Sequence, residues 1–267
     1  MKSHFNSVSK HSYFIIIALF ILLLSCSNAE KSSNVFETSN QMILVITDSI
    51  TATNGYLYSF ERKNADLEWT QRSKPIKIVL GRNGLGLGIG LHNLSDLPNI
   101  PTKMEGDGRS PAGIFTLSAV FGYKSAEQMP ELRMPYIHIT EMIECIDDSE
   151  SKFYNKFVTR DKIEALNIVD WKSSEKMSEA GVYYELGVVV DHNSNIVKKG
   201  AGSCIFLHNW ADSTETMAGC TAMAPEKMKE IAFWLNKSQN PLLVQLTKQL
   251  YLDLSQKWNL PEIDGNK

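Results

Sequence analysis

From Met42 onward the chain alternates short apolar runs with polar turn residues. "MILVIT" (42–47), "YLYSF" (56–60) and "PIKIVLG" (75–81) are rich in β-branched and aromatic residues and are separated by Asn, Asp and Gly. That texture predicts strands joined by hairpins. "GIFTL" (113–117), "YIHIT" (136–140), "VYYELGVVVDH" (182–192), "CIFLH" (204–208) and "PLLVQLT" (241–247) continue it, some alternating and some apolar throughout, as core strands are. Helical periodicity is clearest in "APEKMKEIAFWLNK" (224–237). There Pro225 suits the first turn, Glu226 its positive end, and Met228, Ile231 and Leu235 share one face. Shorter helices are predicted at "SAEQMPEL" (125–132) and "SSEKMSEA" (173–180), with a short amphipathic tail at "KQLYLDLSQKW" (248–258). The expectation is one mainly β domain with a few peripheral helices.

The first residues follow different rules. "MKSHFNSVSKHSY" supplies Lys2 and Lys10, and "FIIIALFILLL" (14–24) is an apolar run shorter than the roughly 20 residues a bilayer span needs. A basic region before a short apolar one reads as a secretion signal. It ends in "LLSCSN", where Leu23, Ser25 and Cys26 resemble the lipobox of bacterial lipoproteins. That resemblance implies a signal peptide over 1–25 and a lipidated Cys26 as the mature N-terminus. Polar "SNAEKSSNVFETSNQ" then makes a tether over 26–41. The domain is expected over 42–255, with a C-terminal tail over 256–267. Ser27 after the lipidated cysteine, rather than Asp, favours the outer membrane of an envelope with two membranes, with the domain facing the periplasm.

Composition narrows the function classes. Lys+Arg is 27 and Asp+Glu is 30, a formal charge of −3, so no basic excess argues for a nucleic-acid partner. "GRNGLGLGIGLHN" (81–93) places glycine at alternate positions without G-x-G-x-x-G or G-K-[ST], so it predicts a closely packed loop rather than a phosphate cradle. "KMEGDGRSPAGIFTL" (103–117) packs Gly106, Gly108 and Pro111 into a tight turn before a strand; Arg109 is a candidate ligand contact there. A zinc hydrolase would need H-E-x-x-H or a similar cluster, and the histidines are scattered, so zinc chemistry is not expected.

The stretch "HNWADSTETMAGCTAM" (208–223) carries the candidate chemistry. A thiolate attacks carbonyl carbon, and a free cysteine near pKa 8.5 needs a base within reach. His208, at the end of a predicted strand, is the candidate base for Cys220, and the carbonyl of Asn209 could orient its ring; a buried thiol beside a structural histidine is the alternative these residues leave open. Gly219 permits a turn that aims main-chain N–H groups at a developing oxyanion.

These residues resemble the L,D-transpeptidase catalytic-domain family, also called YkuD-like. His208 and Gly219-Cys220 match its histidine and its Gly-Cys pair. "GDGRSPAGIF" (106–115) is similar to its Asp-Gly-x-Thr-Pro-x-Gly segment, and "DDSESKFYNKFV" (147–158) and "ELGVVVDHN" (185–193) to the blocks between. The resemblance spans roughly 76–246 and implies a β-sandwich-like L,D-transpeptidase fold. It implies that Cys220 attacks a peptidoglycan stem peptide, that His208 moves the proton, and that main-chain amides of Ala218, Gly219 and Cys220 hold the oxyanion. An amine then resolves the thioester, and by the same resemblance no metal or organic cofactor is required. Water as acceptor would make the protein an amidase or hydrolase, and a non-catalytic peptidoglycan-binding lipoprotein is the remaining reading. Met217 stands where the family has a hydroxyl residue and Ala222 where many members have Arg.

The other assignments are weaker. Trp210, His192 and Arg109 are candidate substrate contacts. With Cys26 removed, Cys145, Cys204 and Cys220 remain in an oxidising compartment. Cys145 and Cys204 are either the one disulfide, leaving Cys220 free, or two buried thiols.

Overall fold

The structure is a computed structural model that describes residues 35–263. The signal segment, Cys26 and the first part of the tether lie outside the described residues. Strands run in chain order as Gln41–Thr47 (β1), Asn54–Glu61 (β2), Thr70–Gln71 (β3), Ile76–Val79 (β4), Leu85–Leu87 (β5), Ser110–Gly122 (β6) and Tyr136–His138 (β7). Ile143–Cys145 (β8), Phe157–Thr159 (β9), Glu175–Lys176 (β10), Leu186–Val190 (β11), Phe206–Asn209 (β12), Thr221–Met223 (β13) and Leu242–Thr247 (β14) follow. The α-helices are Arg160–Ala165 (α1), Pro225–Trp234 (α2) and Lys248–Leu254 (α3). Among the described residues, no helix is long and apolar enough to cross a membrane.

The mainly β expectation holds, with one correction to the architecture. The main sheet runs β1-β14-β6-β11-β12-β13-β4-β2 and closes through an additional β1–β2 pairing. It is a barrel rather than a sandwich-like pair of sheets. The reason is visible in β1, whose two edges are both used: Met42–Thr47 pairs in parallel with 242–247, and Gln41–Ile46 pairs antiparallel with Glu61–Tyr56. Closure removes the exposed edges that a sandwich keeps.

β1 also explains its unbroken apolar run. Ile43 and Val45 face one core cluster, with Leu57, Phe115, Leu207 and the α2 residues Met228 and Ile231. Met42, Leu44 and Ile46 face a second, with Val244, Leu246, Tyr251 and Leu254. Each fully buried aliphatic side chain contributes about 1.5–3 kcal/mol of transfer free energy.

The second cluster extends the domain beyond the expected 42–255. Phe36 at one end and Trp258 and Leu260 at the other are all buried in it. The end of the expected tether and the start of the tail are therefore packed, because β1, β14 and α3 offer an apolar face that these residues help to cover.

Two local expectations change. "VYYEL" begins as a 3-10 segment, Met177–Tyr184, with Gly181 at φ 58 breaking it. "SSEKMSEA" is split between β10 and that segment instead of forming a helix. β10 joins β8 and β9 in a small separate sheet, with Glu175 opposite Cys145. Its buried Glu144 receives Arg160, Trp171 and Ser174, a polar network the hydrophobic pattern could not announce.

Candidate active site

Phe206, His208, Cys220 and Ala222 lie on one face of neighbouring parallel strands. β12 and β13 pair Leu207 with Thr221 and His208 with Ala222. Period-2 alternation sends Leu207 and Met223 to the α2 side, while Phe206, Cys220 and Ala222 belong to a third cluster on the opposite face. One residue before the paired stretch, Cys220 lies level with Phe206, whose N–H donates to its Sγ at 3.3 Å. His208 is two positions farther along, so the two Cα atoms stand roughly 8 Å apart across the strands. Both side chains line one cavity of about 450 Å³ with Glu175, Tyr183, Tyr184 and Glu215.

The imidazole is held in one tautomer. Its Nδ1 lies 2.6 Å from the Asn209 carbonyl, which can only accept, so Nδ1 carries the proton and Nε2 is a free acceptor. Tyr183 and Tyr184 stand edge-on to the ring at centroid distances of 6.1 and 5.4 Å, fixing its plane. Asn209 Nδ2 donates to the Val182 carbonyl and ties the tyrosine segment to β12. Burial lowers the His208 pKa to about 4, the Asn209 carbonyl opposing it. Burial pushes the Cys220 thiol up, and the Glu175 carboxyl beside it pushes the same way, while the Phe206 N–H opposes. The resting pair is therefore a neutral thiol and a neutral imidazole.

The turn before Cys220 is pinned from behind. The Ser110 hydroxyl donates to the Cys220 carbonyl at 2.8 Å and accepts the Gly81 N–H at 2.9 Å. Gly81 is required there: a Cβ would stand 2.3 Å from the Gly108 carbonyl oxygen. Met217 extends the β4 edge, its N–H donating to Leu80 and its carbonyl accepting from Arg82. The N–H groups of Ala218 and Gly219 have no acceptor among the described residues, which leaves them available to an oxyanion. Ala222 is fully buried opposite His208, a position with no room for a long cationic side chain.

Cys145 and Cys204 form a disulfide and Cys220 is a free, buried thiol. The bridge is part of the site. Cys145 is level with Glu175, and the Cys204 carbonyl lies 3.5 Å from Cys220 Sγ. It therefore joins the wall bearing Glu175 to the strands bearing the thiol.

The remaining sequence candidates lie elsewhere. His192 is 1% exposed, with Nδ1 accepting from Ile89 N–H and Nε2 donating to the Ala201 carbonyl, so both nitrogens are occupied away from the cavity. Arg109 clamps the carbonyls of Asn83 and Leu85. Trp210 lines a different cavity, with Tyr56 and Lys77. Among the described residues, no group of three His, Cys, Asp or Glu side chains is placed to hold a metal ion.

Sequence reasoning missed Glu175, Tyr184, Tyr183, Glu215 and Ser110. The Tyr184 hydroxyl donates to Glu175 Oε2 at 2.5 Å, and the Tyr183 hydroxyl reaches both oxygens of Glu215 at 3.1 and 3.2 Å. Burial raises the Glu175 pKa to about 7, Tyr184 opposing and Asp147 and Glu105 adding to it.

A stability prediction follows from these groups. Burial also lowers the His192 pKa to about 4. A histidine lowered on folding stabilises least in acid, so His192 and His208 each add about 3 kcal/mol as pH rises from 4 to 6.5. Glu175 is raised on folding, so its contribution is present at low pH and is lost, by about 3 kcal/mol, as pH rises from 4.5 to 7. The two trends partly cancel. Urea denaturation of Glu175→Gln at pH 4.5 and 6.5 should therefore show a steeper gain with pH than wild type; an unchanged slope would refute the assignment.

No family model, no curated protein and no solved structure matches this chain.

Proposed function

We propose that the chain is a cysteine acyltransferase of the L,D-transpeptidase type, forming a thioester at Cys220 from a peptidoglycan stem peptide and passing the acyl group to an amine. The observation that carries it is the shared cavity, where a free thiol and an imidazole with an unoccupied Nε2 lie on one face of adjacent strands. The choice of peptidoglycan rests on the sequence resemblance.

Chemistry follows from the two neutral groups. Nε2 of His208 takes the thiol proton as Sγ attacks the peptide carbonyl, forming the C–S bond. The Ala218 and Gly219 N–H groups receive the oxyanion. Collapse breaks the C–N bond, and the imidazolium returns its proton to the leaving amine. An incoming amine then attacks the thioester, His208 accepts its proton, and the C–S bond breaks to restore the thiol. Water in place of the amine gives hydrolysis by the same steps.

The domain is proposed to face the periplasm on a lipid anchor at Cys26. The Cys145–Cys204 disulfide supports an oxidising compartment. The test is to incubate purified domain with muropeptides and look by mass spectrometry for an acyl adduct on Cys220. The adduct should appear in wild type and vanish in Cys220→Ala, and added amine should raise transfer product over hydrolysis product. Wild type and Cys220→Ala behaving alike, without adduct or product, would end the enzymatic reading.

A further inference from the structure

We propose that Lys103 is a positioning residue for Cys220: its buried ammonium, held by Asp107 behind the Ala218–Cys220 turn, favours the negative charge that forms at the sulfur during attack. The inference rests on the reading of Cys220 as the nucleophile. It adds a residue that stands outside the cavity and that the acyl-transfer steps do not use.

Lys103 opens "KMEGDG" (103–108), a turn segment whose lysine and aspartate have no role in those steps. Lysine is almost never buried unless paired, because taking an ammonium out of water is costly. Lys103 is 3% exposed. Its Nζ donates to Asp107 Oδ1 and to the Met104 carbonyl, each at 2.7 Å. Asp107 also accepts the main-chain N–H groups of Arg109 and Met104, at 2.9 and 2.8 Å. The loop therefore holds one cation in one place. It is joined to the nucleophile through Ser110, whose hydroxyl donates to the Cys220 carbonyl.

Two glycines let the lysine stem reach the site. A Cβ on Gly219 would lie 3.8 Å from Lys103 Cε, and one on Gly202 would lie 3.1 Å from Cε and 3.2 Å from Cγ. The stem thus threads between the turn that presents Cys220 and the segment before β12. That segment is tied to the lysine's own loop: the Glu105 N–H donates to the Gly200 carbonyl at 2.9 Å, and the Ser203 hydroxyl to Glu105 Oε2 at 2.7 Å. The next residue is Cys204, whose carbonyl lies 3.5 Å from Cys220 Sγ. The turn bearing the thiol and the segment touching it both flank Lys103.

The site needs such a charge. The charged side chains that line the cavity are both carboxylates, Glu175 and Glu215. Burial and the Glu175 carboxyl push the Cys220 thiol up, while the Phe206 N–H and the Lys103 ammonium push the other way. A sulfur gaining negative charge beside a carboxylate is helped most by a fixed cation nearby, where little water screens it. Lys103 supplies that cation from behind the turn and takes no space from the substrate.

The test is alkylation of Cys220 in the full chain by iodoacetamide, a neutral probe that needs no substrate, followed by peptide mass mapping from pH 8 to 9.5. In that range His208 and His192, each lowered to about 4 by burial, are neutral, and Glu175, raised to about 7, is ionised. Lys103→Met keeps the stem and removes the charge. It should react about tenfold more slowly than wild type at each pH, matching it only about one pH unit higher. Lys103→Met/Asp107→Asn leaves no carboxylate unpaired and should show the same loss; it carries the comparison if the single variant does not fold. The larger neutral reagent N-ethylmaleimide should give the same factor, because the charge acts on the thiolate and not on entry. A loss under about threefold, or one that differs by more than about threefold between the two reagents, overturns the proposal. Thioester formation by wild type is scored separately. A thioester with no effect of Lys103→Met on alkylation sinks the lysine's role alone; the alkylation effect without a thioester supports that role and ends the acyl-transfer reading.

Discussion

His208→Gln is expected to slow acylation of Cys220 by 10²- to 10⁴-fold, the usual contribution of a positioned general base. Burial holds both partners neutral, so no preformed thiolate is present to attack when the imidazole is removed. Gln keeps an amide donor that can reach the Asn209 carbonyl, so the fold should survive, as a thermal melt would show. The residual reaction carries a second signature. Wild-type kcat/KM should rise through about pH 4 as the imidazole loses its proton and then level. The variant must lose its thiol proton to solvent, so its rate should climb about tenfold per pH unit well above neutrality. A flat profile in the variant, or a loss under about tenfold, would remove His208 from the base role.

Breaking the Cys145–Cys204 bridge should have the largest effect on stability. The two cysteines are 59 residues apart, and closing a loop of that length stabilises by about 4 kcal/mol through the unfolded state. For a domain of this size that corresponds to a fall in Tm of roughly 10 °C. The Cys145→Ser/Cys204→Ser double variant should show it, and thioester formation should fall at temperatures where the variant is still folded. The second effect is local: Glu175 is level with Cys145, and the Cys204 carbonyl touches the Cys220 thiol, so the bridge sets one wall of the cavity against the other. A shift in Tm under about 2 °C with unchanged thioester formation would show that the bridge does neither.

Where the chain's local pattern and its tertiary role coincide, the sequence was readable. β1 is apolar throughout because both faces are buried, and α2 carries Met228 and Ile231 on one face because one side meets the barrel. The His208–Cys220 pair was readable because both residues fall in one short stretch that folds into two adjacent strands. The disulfide was half readable: the count of cysteines allowed it, but only the placement of β8 against the segment before β12 brings Cys145 to Cys204.

The differences between expectation and structure share a cause. His192, Arg109 and Trp210 carry chemistry suited to substrate contact, and the fold places them away from the Cys220 cavity, the first two on main-chain carbonyls and N–H groups and the third in another cavity. A polar side chain's role is set by which partner comes within about 3 Å, and that information is not local. "VYYEL" read as strand because its composition is β-rich, but Gly181 and the packing of Tyr184 against Phe121 and Phe206 hold a 3-10 turn instead.

By itself the sequence determined the mainly β class, the strands whose burial is continuous or alternating, and the candidate nucleophile with its base. Hydrophobic periodicity and a compact motif are written in neighbouring residues, so they can be read without a fold. Only the tertiary structure decided that the sheet closes into a barrel, that Phe36 and Trp258 complete its core, and that Glu175, Tyr183, Tyr184 and Glu215 stand around the thiol. Those facts depend on strand pairings and one covalent bridge between residues tens of positions apart, where no local preference specifies the partner.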